Sequence, residues 1–218
     1  MPLALFDLDN TLLTNDSDYL WGQFLVDRGI VDPAAYAEKN RLFLEDYEQG
    51  TLDIDRYLKF SLQPLSLHSM EQLNKWRKDY IDLIIRPIIA KQSLDLIEKH
   101  QAREDTLMII SATNLFITQP IADLLNIPHI LATRPEIIDN RYTGNYIGTA
   151  TYQAGKVIAL KEWLSENNMD LTGSTFYSDS HNDLPLLELV DHPVAVNPDN
   201  ILLQTAKKKN WPVIDLRN

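Results

Sequence analysis

Two aspartates follow a short apolar run close to the N-terminus of this 218-residue chain. Asp7 and Asp9 stand at the end of residues 3–8, a run whose length and apolar character predict a buried strand. Because side chains alternate along a strand, both carboxylates are expected on the same face. Such a pair persists only where a cation or a shared proton offsets its repulsion. The pair indicates either a nucleophile with an acid/base partner beside a metal, or a polar strand end in which Asp9 caps a turn.

A serine and a lysine further along the chain could hold an anion such as a phosphate group. Ser111 follows a strand predicted at 107–110 and precedes a helix predicted to open at Thr113-Asn114. Backbone N–H groups at a helix N-terminus, together with a hydroxyl, can bind a phosphate oxygen, and a plain helix cap explains the same pattern. Lys156 stands near the start of a helix predicted at 154–166, as either an exposed side chain or a cation that neutralises phosphate.

Two more aspartates lie four residues apart in the segment 178–183. Asp179 and Asp183 follow a predicted strand and lead into a predicted helix, and carboxylates in this setting suit a hard cation such as Mg²⁺. Considered without the other residues, Asp183 is better explained as the N-cap of that helix. His181, between them, is expected to be a surface loop residue, with a substrate contact as the less favoured alternative.

The predicted elements bring these residues to one edge of a sheet. From residue 87 onward, predicted helices and strands alternate, which favours a mostly parallel sheet with helices on both faces. A hairpin is predicted from strands at 130–138 and 141–147, with its turn at Asp139-Asn140. Since ligands of such sheets bind at the carboxyl ends of the strands, the polar residues above are expected to share one site.

The segment 16–86 has a helical pattern and interrupts the alternation directly after the first strand. Four helices are predicted, from about 18 to 28, from Pro33 to Gly50, from Asp53 to just before Pro64, and from Ser69 to Arg86. Four helices with short connections form a small bundle. The predicted domains are therefore a core of residues 1–15 and 87–218 and a helical cap of residues 16–86, which lies over the strand ends as a lid.

Composition narrows the classes of protein further. The chain has no cysteine, which excludes disulfides, thiolate catalysis and cysteine-based metal sites. The formal net charge of −11 disfavours nucleic acid and anionic lipid as partners, so a phosphate site must build local positive charge from a metal, a lysine or helix N-termini. The sequence shows no apolar window long enough for a membrane span and no signal peptide, so a cytoplasmic location is expected. The sequence is equally compatible with a monomer and with a homodimer.

Four segments together resemble the motifs of the haloacid dehalogenase (HAD) superfamily in their order and in their setting at strand ends. They are Asp7-Leu8-Asp9-Asn10-Thr11-Leu12, Ser111, Lys156 and Asp179-Ser180-His181-Asn182-Asp183. The helical insertion is similar to a C1 cap, and Tyr142-Thr143-Gly144 with Gly155-Lys156 resembles the phosphoserine-phosphatase-like branch (subfamily IB). The resemblance implies a Rossmann-like α/β core and a Mg²⁺-dependent phosphatase that acts on a small phosphorylated metabolite.

The resemblance also implies a role for each residue. Asp7 would attack phosphorus and form an aspartyl phosphate, while Asp9 would protonate the leaving group and then activate water. Phosphoryl oxygens would be bound by Ser111, Ala112 and Lys156. Mg²⁺ would be bound by Asp7, the backbone carbonyl of Asp9, Asp179 and, unless it orients Lys156 instead, Asp183. Phosphatases and some mutases keep the second acid, which dehalogenases of the superfamily lack.

Two departures from the branch bear on the substrate. Ala112-Thr113 and Ser180-His181 stand where glycines are usual, which alters the walls near the phosphate and argues against strict phosphoserine specificity. Asp16 stands where the branch places an acid that contacts the substrate amino group, and a helix cap explains it equally well. Relatives with an opening like Asp16-Ser17 and Trp21 include histidinol-phosphate phosphatases.

The lid is expected to decide between histidinol phosphate, the favoured substrate, and phosphoserine, the alternative. An acid-rich lid suits a substrate with an ammonium group and no carboxylate. Candidate contacts are Asp16, Asp18, Trp21, Glu45, Tyr47 and Glu48. Phosphoserine would require an arginine for its carboxylate, and Arg41 and Arg56 are available. The alternative of another class is a phosphotransferase or mutase, or a non-catalytic regulator that binds phosphate.

Overall fold

A seven-stranded sheet forms the centre of the computed structural model, which describes residues 2–217. Its strands are β1 (Leu3–Phe6), β2 (Thr106–Asn114), β3 (His129–Ile138), β4 (Arg141–Ile147), β5 (Thr175–Ser178), β6 (His192–Val196) and β7 (Val213–Ile214). Across the sheet they follow the order β4-β3-β2-β1-β5-β6-β7. Neighbouring strands are parallel except β3 and β4, which are antiparallel. The predicted α/β class with a mostly parallel sheet is confirmed.

Four α-helices follow β1 and form the helical insertion. They are α1 (Ser17–Asp27), α2 (Pro33–Glu48), α3 (Ile54–Ser66) and α4 (Met70–Tyr80). Each begins after a residue whose side chain accepts backbone N–H groups of the first turn, namely Asp16, Asp32, Asp53 and Ser69. The prediction that the third helix ends before Pro64 is wrong, since α3 continues to Ser66. Burial of Leu62 and Leu65 on either side of Pro64 outweighs the one hydrogen bond that proline cannot donate.

The two segments that connect this insertion to the sheet lie side by side. A π-helical turn (Ile81–Ile85) and a 3₁₀ turn (Arg86–Ile88) follow α4 directly. Leu13 and Ile89 form an isolated antiparallel bridge, and the Thr14 N–H donates to the carbonyl of Ile88 at 2.8 Å. The insertion therefore lies after the first strand, as expected, while the division into a core and a cap at residues 16 and 86 stays a prediction.

Helices cover both faces of the sheet, because its strands are apolar on both sides. Successive residues of β1 alternate between two separate cores, with Ala4 and Phe6 in one and Leu3 and Leu5 in the other. The first core includes residues of α5 (Lys91–Ala102) and α6 (Leu115–Leu124). The second includes residues of α7 (Ala154–Asn167), α8 (Leu184–Leu187) and α9 (Asn200–Lys209). This is the Rossmann-like arrangement that the alternating pattern predicts.

The hairpin of β3 and β4 connects the sheet to the helical insertion. Its turn is at Asp139 and Asn140, as predicted, and both residues have the positive φ (49° and 59°) that favours a two-residue hairpin turn. Near the end of β4, the Tyr146 hydroxyl donates to Asp55 Oδ1 of α3 at 2.6 Å. The insertion is thus held against this edge of the sheet. Within residues 2–217, none of the helices combines the length and the apolar character needed to cross a membrane.

Candidate active site

Adjacent strands bring the acidic residues to one edge of the sheet. Asp7 directly follows β1, and its backbone N–H donates to the carbonyl of Tyr177 in β5 at 2.9 Å. Asp179 directly follows β5, and Ser111 lies in the last part of β2. Because β2, β1 and β5 are neighbours and parallel, their carboxyl ends meet at the same place.

A buried lysine joins two of the aspartates. Lys156 Nζ donates to Asp7 Oδ1 at 2.6 Å and to Asp183 Oδ2 at 2.8 Å, and the three side chains are at most 4% exposed. Burial raises the pKa of Asp7 above its ordinary value, an effect that Lys156 opposes and that Asp183 and Asp9 reinforce. Burial lowers the pKa of Lys156, but Asp183 and Asp7 outweigh it and raise the pKa overall, so the lysine stays charged.

The Asp183 side chain binds this lysine and makes no hydrogen bond to a helix N-terminus. Besides the bond from Lys156, its carboxylate accepts a hydrogen bond from the Ser178 hydroxyl at 2.7 Å. The 3₁₀ turn His181–Asp183 is capped by Ser180 instead. Asp183 does stand at the N-cap position of α8, as predicted, but its side chain makes no capping hydrogen bond, because a buried lysine is a stronger partner for a carboxylate than a backbone N–H.

Thr11 links Asp7 to Asp179. Its Oγ1 accepts the backbone N–H of Asp179 at 3.1 Å, and lies 3.1 Å from Asp179 Oδ1 and 3.4 Å from Asp7 Oδ2, the two acceptors for its own proton. Burial raises the pKa of Asp179 well above its ordinary value, and the charges of Asp7 and Asp183 raise it further. Asp7, Asp179 and Asp183 together carry more negative charge than Lys156, which binds only Asp7 and Asp183, can offset.

This excess is what a hard cation such as Mg²⁺ would offset. Mg²⁺ prefers oxygen ligands, uses one or two carboxylates and keeps several waters. Within residues 2–217, no group of three or more His, Cys, Asp or Glu side chains is arranged to hold a metal ion. Asp7 and Asp179, which Thr11 links, are carboxylates of the kind that would hold a Mg²⁺ ion together with water, while Asp183 is occupied by Lys156.

Asp9 is held by donors from two different elements. Its Oδ1 accepts the backbone N–H of Ser17, at the start of α1, at 2.6 Å. Its Oδ2 accepts the hydroxyl of Thr113 at 2.8 Å and that of Ser111 at 3.4 Å. Sequence reasoning missed the contribution of Thr113, although its position two residues after Ser111 on a strand places both side chains on the same face.

Two backbone predictions about the site are wrong. β1 ends at Phe6, so a loop, and not alternation along a strand, brings Asp7 and Asp9 together. β2 runs on to Asn114, so Ser111 lies in a strand and not at a helix N-terminus. The register of β2 against β3 shifts between Ser111 and Asn114, an irregularity of the kind that redirects side chains next to binding sites.

A narrow cavity of about 40 Å³, with room for a few water molecules, lies between the strand ends and the helical insertion. On the sheet side it is lined by Asp7, Asp9, Ala112 and Thr113. On the side of the insertion it is lined by Asp16, Asp18, Tyr19, Asn40, Phe43, Leu44, Tyr47, Leu52, Ile54 and Tyr57. The described residues that line it include no lysine and no arginine, so its lid side is acidic and aromatic.

Three of the predicted lid residues line this cavity: Asp16, Asp18 and Tyr47. Asp16 is also the N-cap of α1, because its Oδ1 accepts the N–H groups of Asp18 and Tyr19 at 2.9 and 2.8 Å. Burial, and next the charge of Asp9, raises the pKa of Asp16 well above its ordinary value. Asp16 thus caps a helix and also lines the cavity, so the helix-cap explanation and the substrate-contact explanation are compatible in the structure.

The predicted aromatic contact Trp21 lies elsewhere. It is buried where the insertion packs against α6, and its ring contacts those of Phe24 and Tyr80 in the insertion and Phe116 in α6. A large aromatic side chain on an amphipathic helix contributes most by packing, which explains this position.

The predicted arginines and glutamates of the lid also lie outside the cavity. Arg41 is exposed and forms ion pairs along α2 with Glu38, at 2.8 Å, and with Glu45. Arg56 lines a separate groove between the insertion and β4, and Glu48 is exposed. Charged side chains on the outer face of a surface helix pair with each other or with water, so none of these is a contact for a substrate in the cavity.

His181 lies where the insertion meets the core, and the expectation of a plain surface position is wrong. Asp199 Oδ2 accepts its backbone N–H at 2.7 Å and lies 2.8 Å from its ring Nδ1. Its Nε2 is 2.7 Å from the place that a Cβ on Gly50 would occupy. Beside it, Asn182 Nδ2 donates to the carbonyl of Tyr47 at 2.8 Å. These contacts close the insertion over the site.

Residues 4–188 match the haloacid dehalogenase-like hydrolase family, and the chain belongs to this family. Among its relatives, a protein of Neisseria meningitidis serogroup C (strain 8013) named histidinol-phosphatase is 47% identical over 219 residues, covering 99% of both proteins. The predicted enzyme class, a phosphoric monoester hydrolase, is confirmed.

Two solved structures resemble the fold. One, a protein of unknown function from Bordetella pertussis Tohama I, is 42% identical with a TM-score of 0.93 and covers 99% of this chain and 98% of its own. The other, a substrate-bound phosphoserine phosphatase, has a TM-score of 0.72 at 19% identity and covers 100% of this chain and 94% of its own. The second similarity is one of fold alone.

Proposed function

We propose that this protein is a Mg²⁺-dependent phosphatase that converts histidinol phosphate to histidinol through an aspartyl phosphate on Asp7. The lining of the cavity carries the choice of substrate, since its lid side offers carboxylates and aromatic rings. Histidinol phosphate has an amine and an imidazole beside its phosphate and no carboxylate. Phosphoserine has a carboxylate as well, for which the described lining residues provide no cationic side chain. The 47% identical relative named histidinol-phosphatase supports the same choice.

In the first half-reaction, a carboxylate oxygen of Asp7 attacks phosphorus, and the bond from phosphorus to the ester oxygen breaks. The leaving oxygen takes a proton from the carboxyl group of Asp9, whose place is fixed by Ser17 and Thr113. Lys156, already bonded to Asp7, offsets negative charge on the transferred group. Mg²⁺, when bound, supplies further positive charge for the phosphoryl oxygens.

In the second half-reaction, a water molecule attacks phosphorus of the aspartyl phosphate and gives its proton to the Asp9 carboxylate. The bond from phosphorus to the Asp7 oxygen breaks, which regenerates the Asp7 carboxylate and leaves Asp9 protonated for the next cycle. Ser111, with the backbone at Ala112, is proposed to bind the phosphoryl oxygens in both steps. Inorganic phosphate is then released, and the site has returned to its starting state.

Phosphate release from histidinol phosphate, phosphoserine and a panel of other phosphomonoesters, with Mg²⁺ and with EDTA, tests this proposal. The highest kcat/KM is expected for histidinol phosphate, and release should stop in EDTA and return with Mg²⁺. A comparable or higher kcat/KM for phosphoserine would overturn the substrate. Transfer to an acceptor without release would indicate a phosphotransferase or mutase, and no turnover of any compound would indicate a binding protein.

A variant separates the two half-reactions. Asp9→Asn can neither protonate the leaving group well nor activate water, so phosphorylated protein should accumulate slowly with an activated ester such as p-nitrophenyl phosphate. Mass spectrometry would detect the added phosphoryl group and assign it to the peptide that contains Asp7. A phosphoryl group on any other residue would contradict the proposed nucleophile.

A further inference from the structure

Asp18 is a buried carboxylate on the lid side of the cavity, and its side chain is not used to cap a helix. The residue is 6% exposed and lines the cavity. The Tyr57 hydroxyl donates to its Oδ2 at 2.6 Å. Within residues 2–217, no lysine, arginine or histidine forms an ion pair with it. A buried carboxylate without a cation is costly and is retained where function requires it.

The neighbouring acid, Asp16, has a different task. Its Oδ1 accepts two backbone N–H groups of α1, so its orientation is fixed by the helix that it caps. Asp18 has one protein donor, although a carboxylate can accept about four hydrogen bonds. Of the two lid acids, Asp18 therefore has the larger unused capacity to accept hydrogen bonds from a ligand.

Aromatic rings line the same cavity as this carboxylate. The rings of Phe43 and Tyr57 are in edge-to-face contact, with centroids 5.3 Å apart, and both line the cavity together with Tyr19. Aromatic faces beside a carboxylate attract organic cations such as ammonium and imidazolium groups. The Asp9 carboxylate is close enough to raise the pKa of Asp18, after the larger effect of burial. Asp9 and Asp18 line the same cavity, so one ligand in it can face both residues.

We propose that Asp18, supported by Tyr57 and Phe43, binds the positively charged group of the substrate and thereby selects cationic phosphomonoesters. The inference rests on the proposed function and deepens it, because it assigns the residue that distinguishes histidinol phosphate from neutral phosphate esters. The group that it binds is an N–H cation, either the ammonium or the imidazolium of the substrate.

The test compares kcat/KM for histidinol phosphate with kcat/KM for glycerol phosphate, whose alcohol part is neutral, in wild type and in Asp18→Asn. Asparagine keeps the size of the side chain and an acceptor for Tyr57, and removes the charge. The ratio of the two values should fall about 10- to 100-fold, mainly through the KM for histidinol phosphate, as expected for loss of a charge-assisted bond. Asp46→Asn, an exposed acid on α2, is the matched control and should leave the ratio unchanged.

Two analogues identify the cation that is bound. Phosphoethanolamine retains the ammonium without the imidazole, and imidazolylpropyl phosphate retains the imidazole without the ammonium. Asp18→Asn should lower kcat/KM, relative to glycerol phosphate, for the analogue that keeps the bound group. If neither analogue shows this fall, the inference is overturned. Tyr57→Phe is the second variant, because it removes the hydrogen bond to Asp18 and keeps its charge. In this variant the ratio of kcat/KM for histidinol phosphate to kcat/KM for glycerol phosphate should fall much less than in Asp18→Asn.

The outcomes separate this inference from the proposed function. Failure of the wild-type enzyme to hydrolyse histidinol phosphate would refute the proposed function itself. If the wild type hydrolyses it and Asp18→Asn keeps the wild-type ratio, the specificity role is refuted and the proposed function stands. An equal fall in kcat for both substrates would assign Asp18 a structural role and also refute the inference.

Discussion

Replacing Asp18 by asparagine is expected to stabilise the folded protein at neutral and alkaline pH. Burial raises the pKa of Asp18 from 3.8 to about 7, while the hydrogen bond from Tyr57 opposes the rise and the charge of Asp9 adds to it. In the unfolded chain the carboxyl group is in water and ionises near its ordinary pKa. Asparagine fills the same space, still accepts from Tyr57 and cannot ionise, so the comparison isolates the charge.

The sign follows from the protons bound in each state. Because the carboxyl group has the higher pKa when folded, the folded protein binds more protons between about pH 4 and pH 7, and stability falls as pH rises through that window. The rise from 3.8 to about 7 corresponds to about 4 kcal/mol, since one pKa unit is worth about 1.4 kcal/mol. Less than half of this destabilisation of the wild type is present at pH 5. The difference in free energy of unfolding between Asp18→Asn and wild type should therefore grow by about 2–3 kcal/mol from pH 5 to pH 8.

Urea unfolding of both proteins at several pH values from 5 to 8 measures this difference. Other groups, including Asp7, titrate in both proteins, and their contributions cancel when the two free energies of unfolding are subtracted. Glu98→Gln, an exposed substitution on α5, should differ from wild type by a constant amount, within about 0.5 kcal/mol. A flat difference for Asp18→Asn across this range, or a variant less stable than wild type at pH 8, would refute the argument that the charge is buried at a cost.

Three further substitutions address the reacting end. Asp7→Asn should abolish phosphate release while thermal unfolding shows an intact fold, because Lys156 keeps Asp183 as a partner; turnover near wild type would contradict the nucleophile. Lys156→Met should cost about 3–5 kcal/mol in urea unfolding, since two buried carboxylates lose their cation, and adding Asp183→Asn should recover part of it. Equal instability of the single and double variants would mean that the lysine acts by packing. Thr113→Val should lower kcat about tenfold with little change in KM, whereas Thr113→Ser should retain activity, and equal losses would indicate a packing effect.

The clustering of the acidic residues could be predicted from the sequence because a parallel sheet places the carboxyl ends of its strands together. Asp7, Ser111 and Asp179 each stand near the end of an apolar run, so local pattern and topology suffice to bring them to one edge. The hairpin turn at Asp139 and Asn140 is a similarly local signal. The chemical roles of these residues stay predictions, supported by the geometry and by the family.

The lid could not be predicted in the same way, since helical spacing does not show which helix face meets a neighbour. Trp21 has the right type for a binding site and lies in the core instead. The contact between Asp18 and Tyr57 joins residues 39 positions apart and depends on how α1 packs against α3. The pairing of Arg41 with Glu38 and Glu45 is different, because spacings of three and four residues along a helix predict it directly.

Negative charge at both ends of the cavity suggests how the enzyme rejects unsuitable esters. At the reacting end, Asp7 and Asp183 are compensated by Lys156 and, on the proposed function, Asp7 and Asp179 by Mg²⁺. Within residues 2–217, Asp18 forms no ion pair, so on the inference above the substrate supplies the cation. On this inference, a neutral phosphomonoester can occupy the reacting end, but it leaves the buried Asp18 carboxylate with its hydrogen bond from Tyr57 and without a cation. Selectivity then comes from this cost as much as from attraction to the correct substrate, because a site built for a charged group penalises ligands that lack it.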